Sequence, residues 1–170
     1  MTHGNHDELY ELLRTDSIDI VLNDQRRAFS DEYKNIVLDV QENCIEISAK
    51  SPIAELDSIE ITDLKNIPLI LLSSAAQQQI EREFYCNYIG FQSEIIFCET
   101  SEDAKMLLVQ GRGYMPVEGC GKNVPQGSTT KKLLLTRKGE PIIRRYCAFE
   151  KVDNPAKHTE KFLEILKKMF

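Results

Sequence analysis

The hydrophobic pattern of residues 91–119 is the sharpest in the chain and predicts a strand, a helix and a second strand. Residues 94–98 form a short apolar run of the strand type. Thr100 or Ser101 is suited to cap the following helix, because a side-chain oxygen at that position accepts a hydrogen bond from a free backbone amide. The apolar residues after the cap have the i, i+3 and i+4 spacing of one helix face: Ala104, Leu107 and Leu108.

Two glycines separate this helix from the second strand. Gly111 and Gly113 end the helix, and residues 114–117 resume an extended run. Two strands joined by a helix predict a parallel crossover, in which polar groups at the carboxyl end of the first strand face a crevice.

The rest of the chain has the same kinds of pattern. Further strands are predicted at residues 18–22, 35–40, 44–49, 68–72, 133–136 and 141–147, with a turn at Glu42 and Asn43 and a hairpin at Gly139. Further helices are predicted after Asn5, Ser74 and Asn154, and the apolar faces of the last two contain Ile80, Phe84, Tyr88, Phe162, Leu163, Leu166 and Phe170. Strands and helices alternate from 68 to 117, so the predicted fold class is α/β.

Size, charge and cysteine content narrow the class of protein. The 170 residues suffice for a core in one domain or two small lobes. The formal charge of −6 argues against direct nucleic-acid binding, which needs a clustered positive surface. The five cysteines have no CxxC and no zinc-type spacing, which favours reduced core thiols in a cytoplasmic protein. No signal region or membrane-spanning run is evident, so no membrane association is expected.

Motifs for catalysis and cofactors fail on inspection. The Gly-Lys pair at 121 and 122 lacks the glycine of a phosphate loop at position 116, where Pro116 stands. The Gly111-x-Gly113 pair follows a helix instead of opening one, so it is not a dinucleotide fingerprint. The three histidines lie near the chain ends. The sequence therefore does not favour a catalytic pair of a histidine and a nucleophilic side chain. No catalytic residue, metal or cofactor is therefore predicted, and the chain is not expected to be an enzyme.

Polar residues at helix starts and strand ends remain as candidates for binding. Each alone is best explained as a helix cap, but several together present free N–H donors and positive helix ends to a small anionic ligand. The members of this set are Asn5, Asn23, Asp24, Ser73, Ser74, Thr100 and Ser101.

Three stretches, taken in order, make the sequence resemble the effector-binding domain of LysR-type transcriptional regulators. They are residues 4–13 leading to the strand at 18–22, residues 44–52 ending Ser48-Ala-Lys-Ser-Pro52, and residues 104–117 with Gly111-Arg-Gly-Tyr-Met-Pro116. The resemblance covers essentially the whole chain. It implies the two-lobed fold of type 2 periplasmic binding proteins, with an effector held between the lobes.

The resemblance also implies an assignment of residues to lobes and to the effector site. Lobe one comprises residues 1–23 and 118–170 and is incomplete, and lobe two comprises residues 24–117. The implied effector contacts are Asn5, Asn23, Asp24, Ser73, Ser74 and Thr100, with Met115, Pro116 and Val117 as a wall of the cleft.

Two elements of the family are missing from this chain, and each carries an expectation. Without the winged helix-turn-helix, DNA is a partner only through a domain that this chain lacks. Without the opening strand and helix of lobe one, the strand at 18–22 is expected to present an unpaired edge or exposed apolar surface, covered by another copy in a homo-oligomer.

Two alternatives share the implied fold. A solute-binding protein of the transport type is disfavoured by the lack of a signal peptide. An enzyme using a carboxylate such as Asp24 or Glu118 would show turnover instead of simple saturable binding.

Overall fold

The structure, a computed structural model, describes residues 2–4, 6–25, 31–119, 128–153 and 157–168 of the chain. Its internal contacts divide the chain into two compact units. Unit one comprises Met1–Val40 and Arg144–Phe170, and unit two comprises Gln41–Ile143. The predicted α/β class is confirmed, since helices and a mixed sheet make up the described chain.

Unit one is a small antiparallel sheet with a helix packed on it. Its elements are α1 (His6–Arg14), β1 (Val21–Asp24), the first part of β2 (Tyr33–Ser48), most of β9 (Ile143–Lys151) and α4 (Lys157–Leu166). The strand order is β1-β9-β2, and β1 is antiparallel to β9. The core of this unit forms where Leu13 of α1 meets the sheet residues Val21, Cys147 and Phe149.

Unit two contains the larger sheet. Its strands are the second part of β2, then β3 (Ser58–Glu60), β4 (Leu69–Leu72), β5 (Ile95–Cys98), β6 (Tyr114–Glu118), β7 (Thr130–Arg137) and β8 (Glu140–Pro141). The path β2-β6-β4-β5 continues on the other side of β2 through β7 to β3. β6 and β7 are antiparallel to β2, whereas β4 is parallel to both β5 and β6. The predicted parallel crossover through α3 (Ser101–Val109) is thus confirmed.

The sheet of unit two is apolar on both faces. One face carries the main core, which includes Ile45, Ile47, Leu69, Leu71, Tyr114, Leu133 and Leu135. The opposite face packs against α3 through Ile70, Cys98, Ala104 and Leu108. A strand buried on both faces requires a near-continuous apolar run, which is why the short run of β4 was readable from the sequence.

Gly111 ends α3 as predicted. Its φ of +74° is a left-handed conformation, and its N–H bonds the carbonyl of Leu108 at 3.0 Å while the N–H of Arg112 bonds that of Leu107 at 3.0 Å. This pair of hydrogen bonds is the Schellman motif, and glycine adopts the required backbone conformation without the steric cost of a Cβ.

The predicted turn at Glu42 and Asn43 is wrong. β2 is one strand of 16 residues that passes from unit one into unit two. Asn43 pairs with Glu118, and its N–H bonds the carbonyl of Ile142 at 2.8 Å. Partners from distant parts of the chain therefore hold this polar pair extended, against its local preference for a turn.

Other observed strand and helix boundaries also differ from the predicted ones. The strand predicted at 18–22 is observed at Val21–Asp24, because Thr15 and Ser17 first bond back to the last turn of α1. Of the predicted helix faces, Phe84 and Leu163 are buried, whereas Ile80, Tyr88 and Phe162 are exposed. α2 (Gln78–Glu83) begins four residues after Ser74 and continues as a π-helix over Phe84–Ile89. Asn154 and Phe170 lie outside the described residues.

The two units do not coincide with the predicted lobes: residues 24–40 lie in unit one and residues 118–143 in unit two. The assignment of residues to lobes stays a prediction.

The cysteines follow the prediction of reduced thiols only in part. Cys86, Cys98 and Cys147 are free thiols. Cys44 is disulfide-bonded, so the prediction of reduced thiols is wrong for Cys44. None of the helices in the described ranges is both long and apolar enough to cross a bilayer.

Candidate functional site

The carboxyl ends of β4 and β5 bring three of the predicted site residues to one edge of the unit-two sheet. Leu72 is level with Cys98, and the N–H of Ser73 bonds the carbonyl of Cys98 at 2.9 Å. Ser73 and Ser74 follow β4 directly, and Thr100 follows β5. In open α/β sheets this edge is where ligands bind.

Ser73 and Ser74 differ in burial and in the hydrogen bonds that their hydroxyl groups make. Ser73 is buried, and its hydroxyl donates to the carbonyl of Ser74 at 3.2 Å. Ser74 is exposed, and its hydroxyl makes a long bond of 3.4 Å to Oε1 of Gln77. Because α2 starts only at Gln78, Ser74 does not form the predicted helix cap. Its hydroxyl makes only this weak hydrogen bond among the contacts described.

Thr100 caps α3 as the sequence predicted. Its Oγ1 accepts from the N–H of Asp103 at 3.2 Å and donates to the Asp103 carboxylate at 2.7 Å. The remaining backbone N–H groups of the first helical turn point toward the same sheet edge, where the helix dipole favours a negatively charged group.

The predicted wall residues lie beside these groups. β6 is level with β4 at Tyr114 and Leu69, so Met115, Pro116 and Val117 run toward the same edge as Ser73. All three are half-buried, and Met115 packs against the apolar cluster under α3.

The predicted residues of β1 lie in unit one. Asp24 is buried, and its Oδ2 accepts from Nη2 of Arg144 at 2.7 Å and from Nε at 3.0 Å. Oδ1 of Asn23 accepts from the N–H of Asp24 at 2.9 Å. A carboxylate held this way by a guanidinium positions Arg144 and stabilises unit one. Asn5 lies outside the described residues.

Asn43 is a polar residue of this region that the sequence did not single out. Its Nδ2 is buried and has no hydrogen-bond partner among the described residues. The sequence did not indicate a buried amide at this position, because a Glu-Asn pair between two apolar runs is typical of a turn.

The described residues that could support covalent or metal chemistry are the buried cysteines, Tyr114 and the acidic side chains. Burial raises the pKa of the Cys98 and Cys147 thiols, so neither is an activated nucleophile. Burial also raises the pKa of Tyr114, whose hydroxyl shares a hydrogen bond of 2.7 Å with Ser93. The described residues include no group of three or more His, Cys, Asp or Glu side chains placed to hold a metal ion.

Sequence comparisons find no relative: no protein-family model matches the chain, and no curated protein matches it. Solved structures match over nearly its whole length. One is the regulatory domain of MetR, a LysR family regulator from N. meningitidis, with a TM-score of 0.72 and 12% identity over 98% of this chain and 77% of that chain. The chain has the fold of LysR-family regulatory domains.

Two further structures agree with this fold. The C-terminal domain of a probable LysR family regulator from Rhodococcus sp. RHA1 matches with a TM-score of 0.68 and 16% identity, over 96% of this chain and 81% of that one. The reduced OxyR regulatory domain from Pseudomonas aeruginosa matches with a TM-score of 0.65 and 13% identity, over 97% and 79%. The two-lobed LysR-type fold implied by the sequence resemblance is confirmed.

Proposed function

We propose that the chain is the effector-binding and dimerisation domain of a LysR-type transcriptional regulator that works in the cytoplasm. The observation that carries this proposal is the match to LysR-family regulatory domains over 96–98% of the chain. In this proposal DNA is contacted only through a winged helix-turn-helix outside this sequence.

The proposed effector site uses the sheet edge of unit two. Ser73, Ser74 and the first turn of α3 at Thr100 supply hydrogen-bond donors, and residues 115–117 supply an apolar wall. A small polar or anionic molecule suits such a set of neutral donors and a helix N-terminus. The sequence prediction that Asn5, Asn23 and Asp24 also contact the effector stays a prediction.

Binding without catalysis is part of the proposal. An enzyme of the same fold would need a free carboxylate such as Asp24 or Glu118, and turnover that is lost on substitution of Glu118 would favour that alternative. The Asp24 side chain is buried and paired with Arg144. Removal of a proton by this group would leave the guanidinium without its partner in a buried setting, which is costly. Asp24 is therefore not expected to act as a general base, and saturable binding without turnover is the expected behaviour under this proposal.

The test is ligand-induced thermal stabilisation of the chain by a panel of small organic acids and amino acids. A ligand present at 100 times its Kd adds about 2.7 kcal/mol of stability to the folded state. Ser73→Ala and Ser74→Ala should each remove most of the thermal shift, whereas Ser58→Ala, an exposed serine of the same unit, should preserve it. Absence of any shift across the panel would refute the proposed function.

A further inference from the structure

A cavity of about 270 Å³ lies in unit two, away from the proposed effector site. Its lining residues come from the stretches 47–52 and 110–113, together with Ile67. Ile67 precedes β4 and Gly113 precedes β6, so the cavity lies at the amino ends of these two strands. Ser73 follows the carboxyl end of β4, and the two sites are therefore at opposite ends of the sheet.

Two of the three stretches that carry the family resemblance meet at this cavity. They are residues 44–52 and 104–117. Oγ of Ser48 donates to the carbonyl of Val109 at 3.2 Å and so joins the end of β2 to the end of α3. Of these two stretches the proposed effector site uses only residues 115–117, which leaves the polar residues of the cavity without an assigned role.

Three polar side chains that line the cavity make no hydrogen bond or ion pair with the described residues of the chain. They are Lys50, Ser51 and Gln110. Ser51 is at the N-cap position of a short 3₁₀ turn at Pro52–Glu55, yet its side chain makes no capping hydrogen bond. An ammonium, a hydroxyl and an amide can therefore all donate to a ligand in one cavity.

The charge at the cavity is positive, although the whole chain has a formal charge of −6. Of the described residues that line the cavity, Lys50 alone carries a charge. An ammonium group without a carboxylate partner repels cations and attracts an anion. The cavity therefore suits a negatively charged ligand and does not suit a metal ion.

The carboxyl end of α3 does not cancel this attraction. A helix has a partial negative charge at its carboxyl end, which resides on carbonyl groups without partners. In α3 the last carbonyls are all bonded: those of Met106, Leu107 and Leu108 each accept from a backbone N–H at 3.0 Å, and that of Val109 accepts from the Ser48 hydroxyl. The field of the helix end is therefore reduced at the cavity.

The volume and the remaining walls define the size and shape of the ligand. A volume of about 270 Å³ corresponds to roughly nine water molecules. Ile47, Pro52 and Ile67 give the cavity apolar walls. A single ammonium balances a single negative charge, so a monoanion with an apolar body fits better than a phosphate dianion.

We propose that this cavity is a second ligand site of unit two, and that it binds small monocarboxylates with a branched apolar body. The Lys50 ammonium pairs with the carboxylate, and the Ser51 hydroxyl and the Gln110 amide donate to its oxygens. The apolar body packs against Ile47 and Ile67. This site does not depend on the proposed effector site, because the two share no residue.

The experiment is a titration of the isotope-labelled chain with 3-methylbutanoate, followed by amide NMR spectra. The amide signals of Gly111 and Gly113 should shift with a common saturation curve and a Kd on the order of 1 mM, as expected for a ligand of so few atoms. The neutral isostere 3-methylbutanamide should bind at least about tenfold more weakly, because it lacks the charge that pairs with Lys50.

Lys50→Gln should weaken the binding of 3-methylbutanoate by about tenfold. Lys105→Gln is the matched control, because Lys105 is an exposed lysine of the same unit that does not line the cavity. It makes the same change in net charge and should leave the affinity unaltered. The amide spectrum of each variant shows directly that the variant is folded.

Each other outcome overturns a stated part of the proposal. Unchanged Gly111 and Gly113 signals at millimolar ligand would refute the site, and equal affinity of Lys50→Gln and the wild type would refute the role of Lys50. Tighter binding of inorganic phosphate than of 3-methylbutanoate would refute the ligand class. Shifts confined to Ser73 and Thr100 would refute the second site while supporting the proposed function.

Discussion

At the scale of single residues, Glu60 shows how one charged side chain fixes a hairpin. Its Oε1 accepts from the N–H of Gly139 at 2.6 Å and from the Thr136 hydroxyl at 3.0 Å, and its Oε2 accepts from the N–H of Lys138 at 2.9 Å. These hydrogen bonds, led by that of Gly139, lower the pKa of the Glu60 carboxyl. Lys138 and Gly139 both have positive φ, so the turn they form needs such support.

The lowered pKa of Glu60 predicts a defined pH dependence. The ionised form stabilises the fold, so its contribution is complete above the ordinary glutamate pKa and is lost as the pH falls through the lower pKa of the folded state. Glu60→Gln should therefore reduce Tm at pH 7, and the difference from the wild type should shrink as the pH falls toward 3. Melting curves across this range test the prediction.

Glu140 provides the matched control for Glu60. It lies in the same hairpin, is exposed, and makes no side-chain hydrogen bond to any of the described residues. Glu140→Gln should leave the melting curves unchanged at every pH. A Glu60→Gln protein with a wild-type pH profile would contradict the argument.

At the scale of elements, Gly113 determines how closely α3 and β6 approach β4. A Cβ at this position would lie 2.4 Å from the carbonyl oxygen of Pro68 and 3.0 Å from Cγ1 of Ile70. That same carbonyl accepts the N–H of Tyr114 at 3.0 Å, which begins the pairing of β6 with β4. Gly113→Ala should therefore destabilise the protein by about 3 kcal/mol through overpacking.

Gly139→Ala separates the effect of space from that of backbone conformation. Nothing lies within 4 Å of a Cβ built on Gly139, but its φ of +80° is unfavourable for alanine. Its cost should be about 1 kcal/mol. Urea unfolding of both variants should rank Gly113→Ala as the more damaging; the reverse order would show that β4 and β6 adjust to the added methyl group.

The elements that the sequence predicted correctly are those whose pattern is local. The crossover from β5 through α3 to β6 was readable because a short apolar run, a Thr100 cap and a Gly111 stop are each set by near neighbours. The course of β2 was not readable, because its extended conformation depends on pairing with Glu118 and Ile142, far along the chain.

The same distinction governs the candidate site. Ser73 and Thr100 could be placed at one sheet edge, since both directly follow predicted parallel strands. The ion pair of Asp24 could not be foreseen, because Arg144 is 120 residues away in the chain. Asn43 was missed for a related reason: its unsatisfied donor is a property of the packed structure and has no sequence signal.

At the scale of the whole molecule, unit one presents a sheet edge at β1. β9 is the one strand paired with β1 in the described part of the chain. Gln25 donates its N–H to the carbonyl of Arg145, so by antiparallel alternation the backbone groups of Leu22 and Asp24 point away from β9. The Asn23 side chain covers the N–H of Asp24, whereas Leu22 remains 42% exposed.

This edge makes self-association a testable expectation. An unprotected edge beside an exposed leucine is a template for pairing with a second copy. The apparent mass from light scattering should therefore rise with protein concentration, and Leu22→Lys should hold the chain monomeric, because a charged edge residue opposes pairing. Val152→Lys, also a change from an apolar residue to lysine, lies outside β1 at a residue of unit one that is 53% exposed, and it should associate like the wild type. Equal association of Leu22→Lys and wild type would place the homo-oligomer contact elsewhere. A wild-type chain that stays monomeric at all concentrations would show that the hydrogen bond from the Asp24 N–H to the Asn23 side chain is enough to protect the edge.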